Sequence, residues 1–465
     1  MYHDNYLDGG SGMSNTVVTA RSGLVDHLLA LEREIRDSIA GAQAYLKSKL
    51  KLTDPDDQSV GGGWSQFLNE YERTSSATGT AHGIISLIAC GESPDSEIIT
   101  LAKRFILNNS RCDGGWTKPN LFDYFSLTRI TGLALRALLD TGEPFANPVV
   151  ADGIAWLIKA QNYDGGWGNM TNDQTSDVTS TSFALQALAR IPGLRPEGRE
   201  AINQGRTWLL KVKNQDYSWG YTAGRKGTIA HTSEAVEGLL ASGEDRSALS
   251  STYKWLVQNI HEDSQFIERY SFNIPPLNKD MSINWTQVSR ERGLIALLRL
   301  GSSVRSPEVI NSVQKILDRQ VGHTYWRTET HPDSEPIWAL KEAVISFRMY
   351  LDLLERDRAA IVLSEELSCL KSQIESLHTR ITHLENHISR SSAKARFLRF
   401  LSFMTKPVSL LVLVTGLLIA FYLLLRNLLV LPQYAEILLA VLAIVSVILT
   451  LYQIIKPFKL EGRKK

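Results

Sequence analysis

From about residue 24 to about residue 350 the chain alternates between two kinds of helical pattern. In one, apolar positions are interleaved with Lys, Arg and Glu, as in Glu32-Arg33-Glu34 and Glu197-Gly198-Arg199-Glu200. In the other, apolar and small residues dominate, as in Phe183-Ala184-Leu185-Gln186-Ala187-Leu188. The charged kind suits a solvent-facing outer helix and the apolar kind a helix enclosed by others. The first kind begins near Leu24, Asp95, Pro148, Pro196, Arg246 and Ser306, the second near Thr78, Thr128, Thr179, Thr228, Thr286 and Ser334, which predicts six helix pairs. Glycines close the second helices at Gly91, Gly142, Gly193, Gly243 and Gly301, where a C-terminal cap takes positive φ.

A turn recurs between the helices of a pair. Trp64, Trp116, Trp167 and Trp219 lie 52, 51 and 52 residues apart, each in a Gly-rich or polar loop. A sustained period of about fifty residues marks a repeat architecture. The fullest copy is Gln161-Asn162-Tyr163-Asp164-Gly165-Gly166-Trp167-Gly168: its glycines permit a tight turn, its aspartate bonds the turn, and its tryptophan offers a large apolar plate. The fifth repeat departs from the pattern, with a long loop at 266–283 read as a lid or an insertion.

The segment 161–167 reads Q-N-Y-D-G-G-W and resembles the Q-x-x-D-G-x-W repeat of the prenyltransferase and squalene-cyclase proteins. The resemblance covers about the first three quarters of the chain. It implies an all-α fold, an (α/α)6 toroid around a central cavity, and it does not by itself imply catalysis. Class II cyclases of that family protonate an isoprenoid double bond or epoxide with the middle Asp of D-x-D-D, an acid kept protonated by apolar surroundings. Asp54-Pro55-Asp56-Asp57 matches the string, so Asp56, supported by Asp54 and Asp57, is one candidate donor; a solvated turn is the alternative. The position that resembles the family's setting is Asp177-Val178-Thr179-Ser180-Thr181, where Thr179 and Ser180 stand in place of the later acids. His231-Thr232 is similar to the histidine segment of zinc prenyltransferases, but the preceding loop has no cysteine, so neither a zinc site nor another cofactor is expected.

If the inner helices are parallel, their N-termini converge on one mouth of the cavity and give it partial positive charge. Arg129, Arg225, Lys226, His231, Arg290 and Arg292 lie at or near those starts and form a candidate site for an anionic head above a greasy lumen. The alternative is that the cations pair with Asp177, Glu234, Glu237 and Glu291.

Beyond the repeats the period changes. Leu363, Leu370, Leu377 and Leu384 occupy d positions and Leu367, Ile374, Ile381 and Ile388 a positions of a heptad, a pattern that favours a parallel two-stranded coiled coil over 357–390 and hence a homodimer. Glu366 would face Lys371, and Arg380 would face Glu385, across that dimer. An antiparallel pairing, or packing back on the toroid, stays open.

Two charge-free apolar runs, 408–425 and 437–455, are long enough to cross a bilayer; a buried helical hairpin is the other reading. Lys394, Arg396, Arg399 and Lys406 precede the first, and Lys456, Lys459, Arg463, Lys464 and Lys465 follow the second. That asymmetry leads to the expectation of an integral membrane protein, in an inner or plasma membrane, with the toroid and both ends cytoplasmic. Residues 1–23 are polar and Gly/Ser-rich, without a signal-peptide core, and are read as a flexible segment.

A formal net charge of +1 gives no nucleic-acid footprint, and Cys90, Cys112 and Cys369 lack metal or disulfide spacing, which suits a reducing compartment. Two functions follow. One is a membrane-tethered toroid that takes an isoprenoid-like or amphipathic small molecule and cyclises it. The other is a non-catalytic sensor or docking toroid coupled by its coiled coil to a two-helix membrane effector or scaffold.

Overall fold

The computed structural model of the chain describes residues 12–69, 74–117, 125–170, 175–261, 266–274 and 279–388. By contact the chain separates into two units, Met1–Arg358 and Ala359–Lys465. The first unit is the repeat domain. Its outer helices are α1 (Gly12–Ser48), α3 (Glu97–Asn108), α5 (Pro148–Lys159), α7 (Pro196–Lys211), α9 (Ser250–Asn259) and α11 (Pro307–Asp318). They alternate with inner helices α2 (Ala77–Ala89), α4 (Thr128–Asp140), α6 (Val178–Leu188), α8 (Ile229–Ala241), α10 (Ser289–Leu300) and α12 (Ile337–Ile388).

Successive inner helices pack side by side from α2 to α10, and α1 meets α11. The ring closes where the loop of the first repeat pairs with the start of α12: the Leu68 amide donates to Glu335 O at 2.9 Å and the Ile337 amide to Gln66 O at 3.1 Å. On the outside, Gln320 Nε2 donates to Ser38 O at 3.2 Å. The same loop-to-loop pairing links repeats elsewhere, as in Thr128 N to Asn169 O at 2.9 Å and Val178 N to Tyr221 O at 2.8 Å. The chain thus has the toroidal arrangement of six helix pairs that the repeats predict.

The tryptophans explain the period. The indole Nε1 of Trp116, Trp167 and Trp219 each donates at 2.8 Å to a carbonyl ten residues earlier, Ile106, Leu157 and Leu209 respectively, at the end of the preceding outer helix. Trp64 makes the equivalent bond to Leu46 O at 2.8 Å. Their backbone amides donate to a threonine hydroxyl on the following inner helix: Thr80, Thr131, Thr181 and Thr232. Each fully buried indole therefore satisfies an orphan carbonyl of the outer helix while its own backbone is tied to the inner one.

The rest of the 161–168 motif works around that bond. Asp164 Oδ1 accepts from Gly166 N at 3.0 Å and Ser176 Oγ at 2.7 Å, and Oδ2 accepts from the indole of Trp208 in the next repeat at 2.8 Å. Gln161 Nε2 donates to Gly165 O at 2.8 Å and to Ala201 O at 2.9 Å. Gly165 has φ +91, and a Cβ on Gly166 would lie 2.6 Å from the Ser176 side chain, so both positions demand glycine.

Several elements differ from the sequence reading. A fifth equivalent tryptophan, Trp326, donates to Ile316 O at 2.8 Å in the sixth repeat; its loop lacks the glycine-rich spelling of the others. Helix α1 starts at Gly12, so the polar beginning of the chain does not delay the helix to Leu24. The 266–283 loop is an antiparallel hairpin, Phe266–Ile274 against Lys279–Gln287, with Tyr270 opposite Ile283 and Phe272 opposite Met281. The period-two alternation of Tyr270, Phe272 and Ile274, and of Met281, Ile283 and Trp285, around Pro275-Pro276 is the signal that a search for helical spacing passes over. Helix α12 is one element of 52 residues that contains both the sixth inner helix and the heptads.

The expected localisation as an integral membrane protein is corrected: among the described residues no helix is long and apolar enough to cross a membrane. The physical reason is composition, since even the long α12 carries charges throughout, from Lys341 to Glu385. The two apolar runs, 408–425 and 437–455, lie outside the described residues.

The staple carries a stability prediction. Trp167→Ala removes a fully buried indole and orphans Leu157 O, and we expect a loss of about 3–5 kcal/mol. Trp167→Phe keeps most of the apolar plate and should cost distinctly less. Denaturant unfolding of both variants checks this; equal losses would show that the staple bond, absent from both variants, and not burial carries the residue's contribution.

Candidate functional site

The inner helices begin with side chains that cap their free amides. Ser76 caps α2, Asp177 caps α6 and Thr228 caps α8. Asp177 is buried; Oδ1 accepts from Ser180 N and Oδ2 from Ser180 Oγ, both at 2.7 Å. Burial raises its pKa above the ordinary aspartate range, against the opposing pull of the Ser180 bonds and of Arg129. One turn on, Thr179 Oγ1 donates to Glu234 Oε2 at 2.6 Å. His231 Nδ1 lies 3.2 Å from the same oxygen. Thr179 therefore occupies the middle position of the Asp177–Ser180 segment as a hydroxyl bound to a carboxylate, not as an acid.

Farther along the inner faces, the lumen is charged. Arg292 of α10 pairs with Glu234 of α8, and its Nε stands 3.5 Å from Glu342 Oε1 of α12. Lys341 Nζ lies 2.8 Å from the same Glu342 oxygen. Arg136 of α4 donates to Gln186 Oε1 of α6 at 3.0 Å. Burial lowers the proton affinity of Lys341 and Arg292, and Glu342 offsets part of that shift. Burial alone would raise Glu342, but Lys341 and Arg292 hold it below the ordinary carboxylate range. His82 of α2 is buried, and burial together with the surrounding cations holds it well below the ordinary histidine range.

These groups surround a cavity lined by Arg136, Gln186, Glu234, Arg292, Lys341 and Glu342, side chains from five inner helices. Its enclosed space is about 20 Å³, room for roughly one water molecule. Counted with its open mouth the space is about 340 Å³. Around this cavity the greasy lining expected from the apolar inner helices gives way to ion pairs, because the inner helices contribute polar residues to it: Gln186 on α6, Glu234 and Glu237 on α8, Arg292 on α10 and Lys341 and Glu342 on α12, beside Phe183 and Ile295.

The residues picked from sequence fall in different places. Asp54, Asp56 and Asp57 are exposed in the turn after α1. Asp54 Oδ1 accepts from Asp56 N, and Asp57 Oδ1 from Ser59 N, both at 2.9 Å. The Ser59 bonds hold Asp57 below the ordinary aspartate range. Arg129 and Arg290 sit in the first turns of α4 and α10, and His231 in that of α8, fully buried. Arg225 and Lys226 are exposed on the loop before α8. Arg292, read as a cation over the mouth, instead pairs with Glu234; Arg299 pairs with Glu237 and Arg319 with Glu291. Sequence reading missed Arg136, Gln186, Lys341, Glu342 and His82. The signal was present as polar residues at helical spacing within otherwise apolar helices, such as Thr179 and Gln186, seven apart on α6.

Comparison with known proteins agrees with the architecture. Residues 122–219 match the squalene-hopene cyclase C-terminal domain. The chain is 31% identical over 219 residues to drimenyl diphosphate synthase of Streptomyces showdoensis, covering 45% of this chain and 38% of that one. It is 28% identical over 153 residues to squalene–hopene cyclase of Zymomonas mobilis, covering 30% and 23% respectively. The matched stretches thus span less than half the length of these curated relatives. Among solved structures, a type II terpene cyclase from Scytonema in complex with geranylgeranyl dihydroxybenzoate superposes with a TM-score of 0.51 at 14% identity, over 70% of this chain and 100% of the other. The repeat domain is a terpenoid cyclase-like α/α toroid.

Asp177 yields a pH prediction. Its folded-state affinity for the proton is raised, so its contribution to stability is fully present below the ordinary aspartate range and is lost as pH rises through the raised value. Asp177→Asn keeps a capping side chain without that dependence. The stability of the variant relative to the natural protein should therefore grow from pH 4 towards neutrality, read by thermal unfolding. A pH-independent difference would contradict it.

Proposed function

We propose that this chain is a non-catalytic binding or sensing toroid, displayed as a parallel homodimer. The observation that carries this reading is the ion-paired lumen. Drug-sized ligands occupy pockets of about 300–1,000 Å³ lined mostly by apolar and aromatic groups. Here the enclosed space is about 20 Å³ and its walls include Arg136, Arg292, Lys341, Glu234 and Glu342. An isoprenoid chain entering it would have to part buried charges from their partners, at a cost of about 3–5 kcal/mol for each broken pair. Thr179 in place of an acid, and the solvent-exposed Asp54–Asp57 turn, point the same way.

The second reading is isoprenoid binding and cyclisation, favoured by the similarity to drimenyl diphosphate synthase and squalene–hopene cyclase. It requires a carboxylic acid donor: Asp56, flanked by Asp54 and Asp57, by the match to D-x-D-D, or the buried Asp177. Incubating the purified full chain with farnesyl and geranylgeranyl diphosphate and with squalene, followed by mass spectrometry, separates the readings. We expect no cyclised product. Product formation that disappears in Asp56→Asn or Asp177→Asn would overturn the non-catalytic reading and name the donor.

Dimerisation is supported by the heptad face of α12. Leu367, Leu370, Ile374 and Leu377 are between 41% and 56% exposed in the single chain. A stripe of large apolar groups at a and d positions is stabilised by burial against a second copy. In a parallel register the sequence places Glu366 opposite Lys371 and Arg380 opposite Glu385. The same helix supplies Lys341 and Glu342 to the lumen, so lumen occupancy and the dimer stalk share one element. Light scattering on the full chain should give twice the monomer mass, and Leu370→Lys with Ile374→Lys should give monomers with unchanged toroid melting. A monomeric natural protein, or a dimeric double variant, would remove the coiled coil from the reading.

A further inference from the structure

We propose that the lumen binds a small anion through a carboxylate or phosphate group, seated against Arg136, Arg292 and Lys341. The inference rests on the reading of the toroid as a binding module and specifies what it binds. Its first support is an imbalance of hydrogen-bond donors. Arg136 uses Nη1 on Gln186 and Nε, at 3.4 Å, on Asp140, while its Nη2 makes no hydrogen bond among the described residues. Arg292 gives Nη1 to Glu234, and its buried Nε stands 3.5 Å from Glu342 Oε1 without making a hydrogen bond. Lys341 has three N–H donors and a single ion-pair partner, Glu342. The carboxylates of the lining are ion-paired, Glu234 with Arg292, Glu342 with Lys341 and Arg292, and Glu237 with Arg299, although Glu237 Oε1 accepts no hydrogen bond.

The second support is charge. Arg136 and Arg190 share one carboxylate, Asp140, at 3.4 and 2.6 Å. Two guanidiniums on one carboxylate leave a positive excess at the partly exposed rim of the cavity, where the Arg190 and Asp140 side chains are 27% and 29% exposed. His82 reports the same field: it is buried, its Nδ1 has no hydrogen-bond partner, and the cations acting on it are Lys341, Arg292, Arg136 and Arg129. An anion entering from the open side would supply both the missing acceptors and the missing charge. One of its oxygens fits the water-sized enclosed space, and the remainder occupies the mouth. Charge-assisted bonds from guanidinium and ammonium groups are the strongest available for holding such a group.

The test uses the full chain and two probes, inorganic phosphate and acetate, against chloride at matched ionic strength. Thermal unfolding and calorimetric titration should show phosphate, acetate or both raising Tm and binding at a single site. Arg136→Gln and Lys341→Met should each weaken that binding by about tenfold or more, as loss of one charge-assisted bond implies. Arg195→Gln, an exposed change far from these groups, should leave it intact. If Arg136→Gln fails to fold, Lys341→Met, nearly isosteric, carries the comparison alone. Two results overturn the anion site: no response of the natural protein to either probe, or a response unchanged in the lumen variants. Both leave the non-catalytic reading standing, whereas cyclised product in the isoprenoid assay removes the reading itself.

Discussion

Five of the six repeats depend on one bond, the indole N–H of a buried tryptophan donated to the last turn of the helix before it. Helix ends leave four carbonyls without partners, and a buried helix end without a replacement partner is costly. Trp116, Trp167 and Trp219 supply the replacement at the same separation and the same 2.8 Å length. The bond fixes where each outer helix ends relative to the turn, and the Thr hydroxyl that receives the tryptophan amide fixes the inner helix that follows. With both ends of the turn held, the angle between paired helices is set, and repetition closes the ring.

Because the staple stabilises the ring from outside the lumen, the lumen is free to vary. In this chain it holds Arg292, Glu234, Lys341 and Glu342 in mutual contact. Buried pairs of this kind stabilise a fold weakly, since desolvation offsets most of the attraction, but they resist the removal of either partner. Similarity of fold to terpene cyclases therefore says little about the contents of the ring.

Helix α12 gives the domain a physical route outward. Its first turns close the ring through Ile337 and line the lumen with Lys341 and Glu342, and the same helix runs on to Ile388. Its exposed stripe from Leu367 to Leu377 has no counterpart on the inner helices of the other five repeats, four of which end at or beside a left-handed glycine, Gly91, Gly142, Gly243 or Gly301. Where those helices stop at a left-handed glycine, α12 continues without one.

The sequence by itself determined the repeat, the pairing of helices and the staple, because Trp spacing, capping glycines and the Q-x-x-D-G-G-W turn act locally. Each is satisfied within about fifty residues, so each leaves a periodic trace. It also determined the heptads, whose trace is again periodic. Only the tertiary structure decided what fills the ring. Arg136, Gln186, Glu234, Arg292 and Lys341 come from five different repeats, and nothing in their local spelling says that they converge. Tertiary placement likewise set Asp54–Asp57 in solvent and Asp177 in the interior, though both segments carry aspartate at a turn or cap. Local order is written by neighbours along the chain, whereas the character of a lumen is the sum of faces that meet only when the ring closes.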